Sequence, residues 1–543
     1  MCALGEAKTK PFTVLSLRIP KVIQTCALFR FSAFQAFNMD TRAQAITINV
    51  ITVAVPLLLC FLTFLALFYS HLTYIIGADE AVYATKARAW LYGTPADQWG
   101  IYRPIGMSIL GWIVLHFSDS ERSLRLVGVL FGMLTPGVVF FLFRRMSNLW
   151  IALGAAAVTA TSSLFIVQAP LFLDDIPSST MLFAALAVIY IYFQSSGKSN
   201  SIYLLPIFIA SSFYLRYGTI PAFIAIAVFS YLILLPRFLS MERPNFRKAG
   251  HAVLIITLLF LPHFIYSLIA THDLFGVLNS ATDVAHRTYI GQGVVQYINW
   301  LPQQIGGWTL GITAILGTAT TFAMLTAQRT REQYTGLIWV GCIGILTFFL
   351  TGFFVHAEQR YVFFPMVLLS GVGVAGIYYI LADWSLPLAV ASPIVIGLIG
   401  LYFGVSDYQN SNAYLLQKSG AISNAVLVEA LGQMQADSAD ANGCDIWTAI
   451  NGPRVSWYSK CYVEKVKDER TFISDFSAHP GAAHYSLVST GLNDPQITPR
   501  NAALFGVSLT EIYRYKDFSV GDLVVYRIEL ATSSPATTTQ QTL

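Results

Sequence analysis

The chain has 543 residues, of which 55% are hydrophobic and only 11% charged, with a formal net charge of +4. About a quarter of the residues in an ordinary soluble protein are charged, so the composition argues against a large soluble protein. The small positive balance, with no basic stripe interleaved with aromatics, excludes nucleic acid as a partner.

Residues 1–47 form a basic segment in which Lys8, Lys10, Arg18, Lys21, Arg30 and Arg42 are opposed only by Glu6 and Asp40. The segment lacks the small-residue cleavage site of a signal peptide and is expected on the cytoplasmic side, with Met1 and Met39 both available as starts. Uncharged stretches then begin, among them Ile48–Tyr69, Trp339–Val355 and Leu386–Val405. Each is near or above the ~18 apolar residues that cross a bilayer, and a helix apolar on every face does not suit contact with water. Segments of this kind fall at about 48–70, 123–143, 149–168, 177–194, 201–217, 219–235, 251–271, 304–326, 334–355, 361–381 and 386–404, which predicts about eleven transmembrane helices. With the N-terminus inside, Arg144–Arg145, Lys198, Arg237, Arg243, Arg247, Lys248, Arg329 and Arg331 all fall in inner loops, as the positive-inside rule requires. The apolar run Ile105–Phe117 covers under ~20 Å at ~1.5 Å per residue and predicts an interfacial or re-entrant helix.

Beyond residue 405 the chain turns polar. Strand-like runs at Asp445–Ile450, Tyr485–Ser489 and Asp522–Glu529, with a helix over Gly420–Met434, predict a small α/β domain at 406–530. The odd number of spans places it outside the cell membrane. The Ser- and Thr-rich tail 531–543 is expected to be disordered. Cys444 and Cys461 both lie in this outer domain, where an oxidising compartment favours a disulfide; two free thiols are the alternative. Cys60 and Cys342 fall inside spans, as small hydrophobes.

On this topology the first outer loop carries Asp79, Glu80, Lys86, Arg88 and Arg103, and the second carries Asp174 and Asp175. A long loop at His272–Gln303 holds Asp273, Asp283, His286 and Arg287, and the next loop holds His356, Glu358, Arg360 and Tyr361. Acids and bases therefore gather at the outer membrane boundary. Asp79 and Glu80 open the segment GADEAVYATKARAWLYG, where acids would also suit a helix N-terminus. The pair in LFLDDIPSST precedes Pro177, which suits a first helical turn. Acids held at such a surface beside cations can be tuned as general bases.

The succession of a span, an outer Asp-Glu pair, an amphipathic helix, YRPIGMSILGW, SERSLRLVGVLFGML, FLDDIPSSTMLFAALAVIY and HAEQRYVFFPMVLL resembles the membrane glycosyltransferases of the GT-C superfamily. Among them it is most similar to the protein O-mannosyltransferases and to the aminoarabinose and other polyprenyl-phosphate-sugar transferases, over residues 48–405. The resemblance implies an all-α polytopic membrane fold with interfacial helices, joined here to the small C-terminal domain. It implies transfer of a sugar (mannose or another hexose or pentose) from a polyprenyl-phosphate carrier to a lipid, glycan or protein acceptor. The transfer would be inverting, at the extracytoplasmic face, with an Asp base. On this sequence the base falls on Asp79 with Glu80 beside it, and the lipid-phosphate contacts fall on Arg103, Arg360 and Tyr361, with Lys86 as a further cation of the first loop. The supporting acid falls on Asp174 or Asp175, with Asp174 preferred. Relatives commonly carry Lys or His before Pro-Pro, whereas this chain has Arg103-Pro104-Ile105, so charge is kept and the turn is altered. No cofactor is required on this reading. Some superfamily members use a divalent metal, and His286, His356 and Glu358 offer ligands, but no metal site is assigned.

Two other classes compete. A transporter or flippase would place ionisable groups near the bilayer midplane, where this chain has little beyond His263 beside Pro262. A non-catalytic membrane assembly protein would bind through the outer domain.

Overall fold

A computed structural model describes residues 54–531 apart from breaks at 67–75, 98, 242–244, 284–288, 327–333, 355, 419–423, 439–440, 442, 467–468, 492–494 and 517–520. The basic N-terminal segment, the tail from 532, His286, Arg287 and the inner-loop bases Arg243, Arg329 and Arg331 lie outside the described residues.

The membrane part opens with α1 (Ala54–Ala66), α2 (Ala78–Tyr92) and α3 (Gly106–Leu115). It continues with α4 (Glu121–Met146), α5 (Leu149–Thr161), α6 (Asp175–Gln194), α7 (Leu205–Leu215), α8 (Tyr217–Leu239) and α9 (Arg247–Thr271). The last four helices are α10 (Gly307–Thr326), α11 (Thr335–Phe354), α12 (Phe363–Trp384) and α13 (Leu386–Lys418). Among the described residues eight helices are long and apolar enough to cross a membrane, namely α4, α6 and α8–α13. The chain is a multi-pass membrane protein. Helices α1, α5 and α7 are apolar but shorter. The ten residues of α3 span only about 15 Å, as expected of an interfacial element.

Local sequence sets these boundaries. Ser120 and Asn148 cap α4 and α5 by accepting the N–H groups of Ser123 and Ile151, which satisfies donors that a helix start leaves unpaired. Arg144 and Arg145 close α4, where cations suit the negative end of the helix. The tightest helix pairing, α10 against α12, depends on glycine. A Cβ on Gly317 would lie 1.8 Å from the Leu369 carbonyl oxygen, and one on Gly373 1.9 Å from that of Thr313. Backbones that approach this closely gain dispersion contact, which is what drives helix association in lipid.

The C-terminal domain comprises α14 (Asn424–Asp437), β1 (Cys444–Thr448), α15 (Gly452–Ser459), β2 (Tyr462–Glu464), α16 (Glu469–Ala478), β3 (Ala483–Ser489), β4 (Val507–Tyr515) and β5 (Leu523–Leu530). The strands form one sheet in the order β2-β1-β3-β5-β4. β1 pairs parallel with β2 and β3, while β5 pairs antiparallel with β3 and β4. Strands β1, β3 and β5 and helix α14 lie where the sequence predicts them. Strand β2 has three residues and β4 is a largely exposed edge, so neither carries a legible apolar run. Cys444 and Cys461 are joined by a disulfide, which closes the loop that contains α15.

Helix α15 docks the domain onto α2. The Arg88 guanidinium lies 3.4 Å over the Trp457 ring and donates to the Trp457 carbonyl at 2.5 Å. It also donates to Asp119 from Nε at 3.0 Å and Nη2 at 2.7 Å. The Tyr458 hydroxyl donates to Glu121 and accepts the Ile76 N–H at 3.3 Å. The C-terminal domain thus holds the helix that carries Asp79.

Candidate active site

The acids and arginines of four separate segments converge at the ends of α2, α6, α8 and α12. Asp79 lies in the first turn of α2, after Gly77 begins the helix and Glu80 reaches back to accept the Gly77 N–H. Its two carboxylate oxygens take different arginines: Oδ2 accepts from Arg360 Nη2 at 2.7 Å, and Oδ1 from Arg103 Nη2 at 3.2 Å. Arg360 also donates from Nε to Glu358 at 2.5 Å and lies 3.7 Å from Asp175. Asp175, at the start of α6, is 2% exposed and ion-pairs with Arg216. Asp174 lies 3.9 Å from Arg216 and accepts the Tyr83 hydroxyl at 3.3 Å. A pocket beneath this layer is lined by Asp175, Ser178, Ser179, Arg216, Thr219 and Thr347, among others.

Burial alone would raise the Asp79 carboxyl, but Arg360 and Arg103 outweigh it and hold the group below its ordinary range. Glu358 behaves alike: burial raises it, while Arg360 and His356 lower it further. Burial, reinforced by Asp174, keeps the Tyr83 hydroxyl protonated well above its usual range. At neutral pH the site is thus an ionised acid between two guanidinium groups, with phenol and alcohol donors around it.

The site residues expected from sequence separate in three dimensions. Asp79, Arg103, Arg360 and Asp175 come together, and Asp175 rather than Asp174 bridges two arginines. Tyr361 packs beneath Arg216, whose guanidinium carbon lies 4.3 Å from the ring centroid. Glu80 is built differently. It is 2% exposed, pairs with Arg125 from both oxygens (3.2 and 3.0 Å) and accepts the backbone N–H groups of Gly77 (2.6 Å) and Phe172 (2.7 Å). With those acceptor positions filled, Glu80 ties α2 to its neighbours in the interior. The Lys86 ammonium lies over Trp90 and Trp99, at 5.7 and 5.6 Å, not against the acid–arginine layer. Arg216 was missed, because a lone arginine at a span end reads as a membrane boundary. Its position in LRYGT, directly after an apolar run, was the available signal. Among the described residues no group of three or more His, Cys, Asp or Glu side chains is disposed to hold a metal.

The helical arrangement gives the chain a GT-C-like fold. A family model described as dolichyl-phosphate-mannose-protein mannosyltransferase matches residues 103–266. ArnT from Cupriavidus metallidurans bound to undecaprenyl phosphate is similar in structure, with a TM-score of 0.60 at 15% identity, over 89% of this chain and 98% of that one. Archaeal oligosaccharyltransferase AglB from Archaeoglobus fulgidus, in complex with an inhibitory peptide and a dolichol-phosphate, gives a TM-score of 0.53 at 12% identity, over 76% of this chain and 64% of that one. No curated protein sequence matches the chain.

Proposed function

We propose that this protein transfers a sugar from a polyprenyl phosphate to an acceptor hydroxyl at the extracytoplasmic face of the cell membrane. The observation that carries the reading is Asp79, a partly exposed acid held between Arg103 and Arg360 at the outer ends of membrane helices. Two solved relatives in fold hold undecaprenyl phosphate and a dolichol-phosphate, which supports a lipid-phosphate donor here. The topology of the proposal has eleven crossings, with α1, α5 and α7 as short spans and the C-terminal domain outside.

The chemistry follows from the charges. As the acceptor oxygen attacks the anomeric carbon, its proton passes to the Asp79 carboxylate. The anomeric C–O bond breaks on the opposite face, and its electron pair leaves with the phosphate, giving the inverted product and free polyprenyl phosphate. Arg360, Arg216 and Arg103 stabilise the charge that develops on the departing phosphate through paired, charge-assisted bonds. Thr347 Oγ1 lines the pocket, buried and without a hydrogen-bond partner. An orphaned hydroxyl of this kind, near Ser178 and Ser179, suits a polar ligand such as the donor sugar.

The test is a reconstitution. Purified protein in liposomes is given a radiolabelled polyprenyl-phosphate hexose or pentose, with membrane lipid, glycan and peptide acceptors in separate reactions. Free polyprenyl phosphate should form in step with label on one acceptor class. Passage of the intact donor across the bilayer, with no bond broken, would replace the transferase reading with a flippase.

A further inference from the structure

Two consecutive residues of the C-terminal domain, Trp457 and Tyr458 on α15, grip α2 near its two ends. The Trp457 ring is buried in an apolar cluster with Ala81, Ala84 and Ala87 of α2 and Leu115 of α3, and Arg88 stacks on it. The Tyr458 hydroxyl accepts the Ile76 N–H and donates to Glu121 in the first turn of α4. Helix α15 is itself fixed within its domain. Gln435 of α14 donates to the carbonyls of Tyr458 at 3.2 Å and Ser459 at 2.8 Å, and the Cys444–Cys461 disulfide ties the chain just beyond α15 to the start of β1.

The two backbone donors that lead into α2 are shared out between the domains. The Gly77 N–H goes to Glu80 of α2 itself, and the Ile76 N–H goes to Tyr458. Asp79 follows three residues after Ile76, and its oxygens meet Arg360 and Arg103, which belong to other elements, at 2.7 and 3.2 Å. Any shift at the start of α2 therefore moves the acid against its arginines, and a misplacement of about 1 Å can cost about a hundredfold in rate. Burial and Glu121 push the Tyr458 hydroxyl far above its ordinary range, so it remains a protonated bridge at working pH.

We infer that Tyr458 is a positioning residue for the transfer: through its hydroxyl the C-terminal domain fixes the start of α2, and with it the placement of Asp79 between Arg103 and Arg360. The inference rests on the reading of Asp79 as the base.

The experiment uses the full chain carrying Tyr458→Phe, which keeps the ring and removes the hydroxyl. Hydrogen exchange over Ile76–Val82, followed by mass spectrometry, needs no turnover and so is independent of the transferase reading. That exchange should rise about tenfold as the anchored end opens. In reconstituted transfer, kcat should fall about ten- to a hundredfold with the donor KM little changed. An Asp79 displaced from its arginines has burial less opposed, so its carboxyl titrates higher and the acid limb of the kcat/KM profile moves upward in pH. Lost stability alone would not move that limb. Tyr485→Phe, which removes a hydroxyl that donates to Asp437 at 2.8 Å in the same domain, should keep the wild-type limb. Wild-type exchange over Ile76–Val82 in Tyr458→Phe overturns the proposal, and so does faster exchange with an unmoved limb. Should Tyr458→Phe fail to fold, Glu121→Ala removes the other end of the bridge and is read by the same two measurements.

Discussion

Asp79 and Glu80 are adjacent in sequence, yet they belong to two differently built regions. Successive residues on a helix point about 100° apart, so one acid faces the arginine-lined cavity and the other faces the protein interior. On the cavity side, Asp79 has a side chain 35% exposed and shares Arg360 with Glu358 and Asp175. On the interior side, Glu80 and Arg125 are 2% and 1% exposed and pair with each other, with two backbone donors completing the carboxylate. The nearby Arg88–Asp119 pair, stacked on Trp457, belongs to the same interior group. A substrate can compete for charges in the first region. In the second, the charges are already committed to holding α2 against α4 and the C-terminal domain.

The largest effect expected from this contrast is on stability. Glu80→Gln keeps the shape but leaves Arg125 as a buried charge without its carboxylate, and breaking such a pair costs about 3–5 kcal/mol. The folded yield and thermal midpoint in detergent should fall sharply. An unchanged midpoint would place Glu80 outside the buried tie.

A smaller effect is expected at Arg360, and it is functional. Arg360→Ala removes charge-assisted bonds of roughly 1.5–3 kcal/mol, or about ten- to a hundredfold in apparent affinity for the lipid-phosphate donor. It also leaves burial less opposed at Asp79, whose carboxyl should then titrate at higher pH than in wild type. A base works only when ionised, so activity is lost as pH falls through that value. The acid limb of the kcat/KM profile should therefore move upward in pH. A limb that stays in place would separate Arg360 from the proposed base.

Much of this was legible in the chain itself. The uncharged runs located the helices because lipid imposes one requirement on every face of a span. Asp79, Arg103, Asp175 and Arg360 could be nominated because topology alone gathers outer-loop charges on one surface. Glu80 could not be distinguished from Asp79, because its partners Arg125 and Phe172 lie 45 and 92 residues away and only the packing of α2 on α4 brings them in. Arg216 was hidden by the opposite problem: it belongs to the site but closes an apolar segment. Lys86 shows the limit of reasoning by charge, since its ammonium is engaged by two tryptophan rings. In the C-terminal domain, the buried strands β1, β3 and β5 have readable apolar runs, while the short β2 and exposed β4 take their place from neighbours.

The central claim is that the cavity acid does chemistry and its neighbour does not. Transfer from a polyprenyl-phosphate sugar should be measured per folded molecule for Asp79→Asn and Glu80→Gln, with folded protein quantified by size-exclusion chromatography. A general base contributes about 10²–10⁴-fold, so Asp79→Asn should be well folded and slowed by that factor. Glu80→Gln should give little folded protein, each molecule of which turns over near the wild-type rate. Wild-type turnover by Asp79→Asn, or a folded but inactive Glu80→Gln, would contradict the assignment.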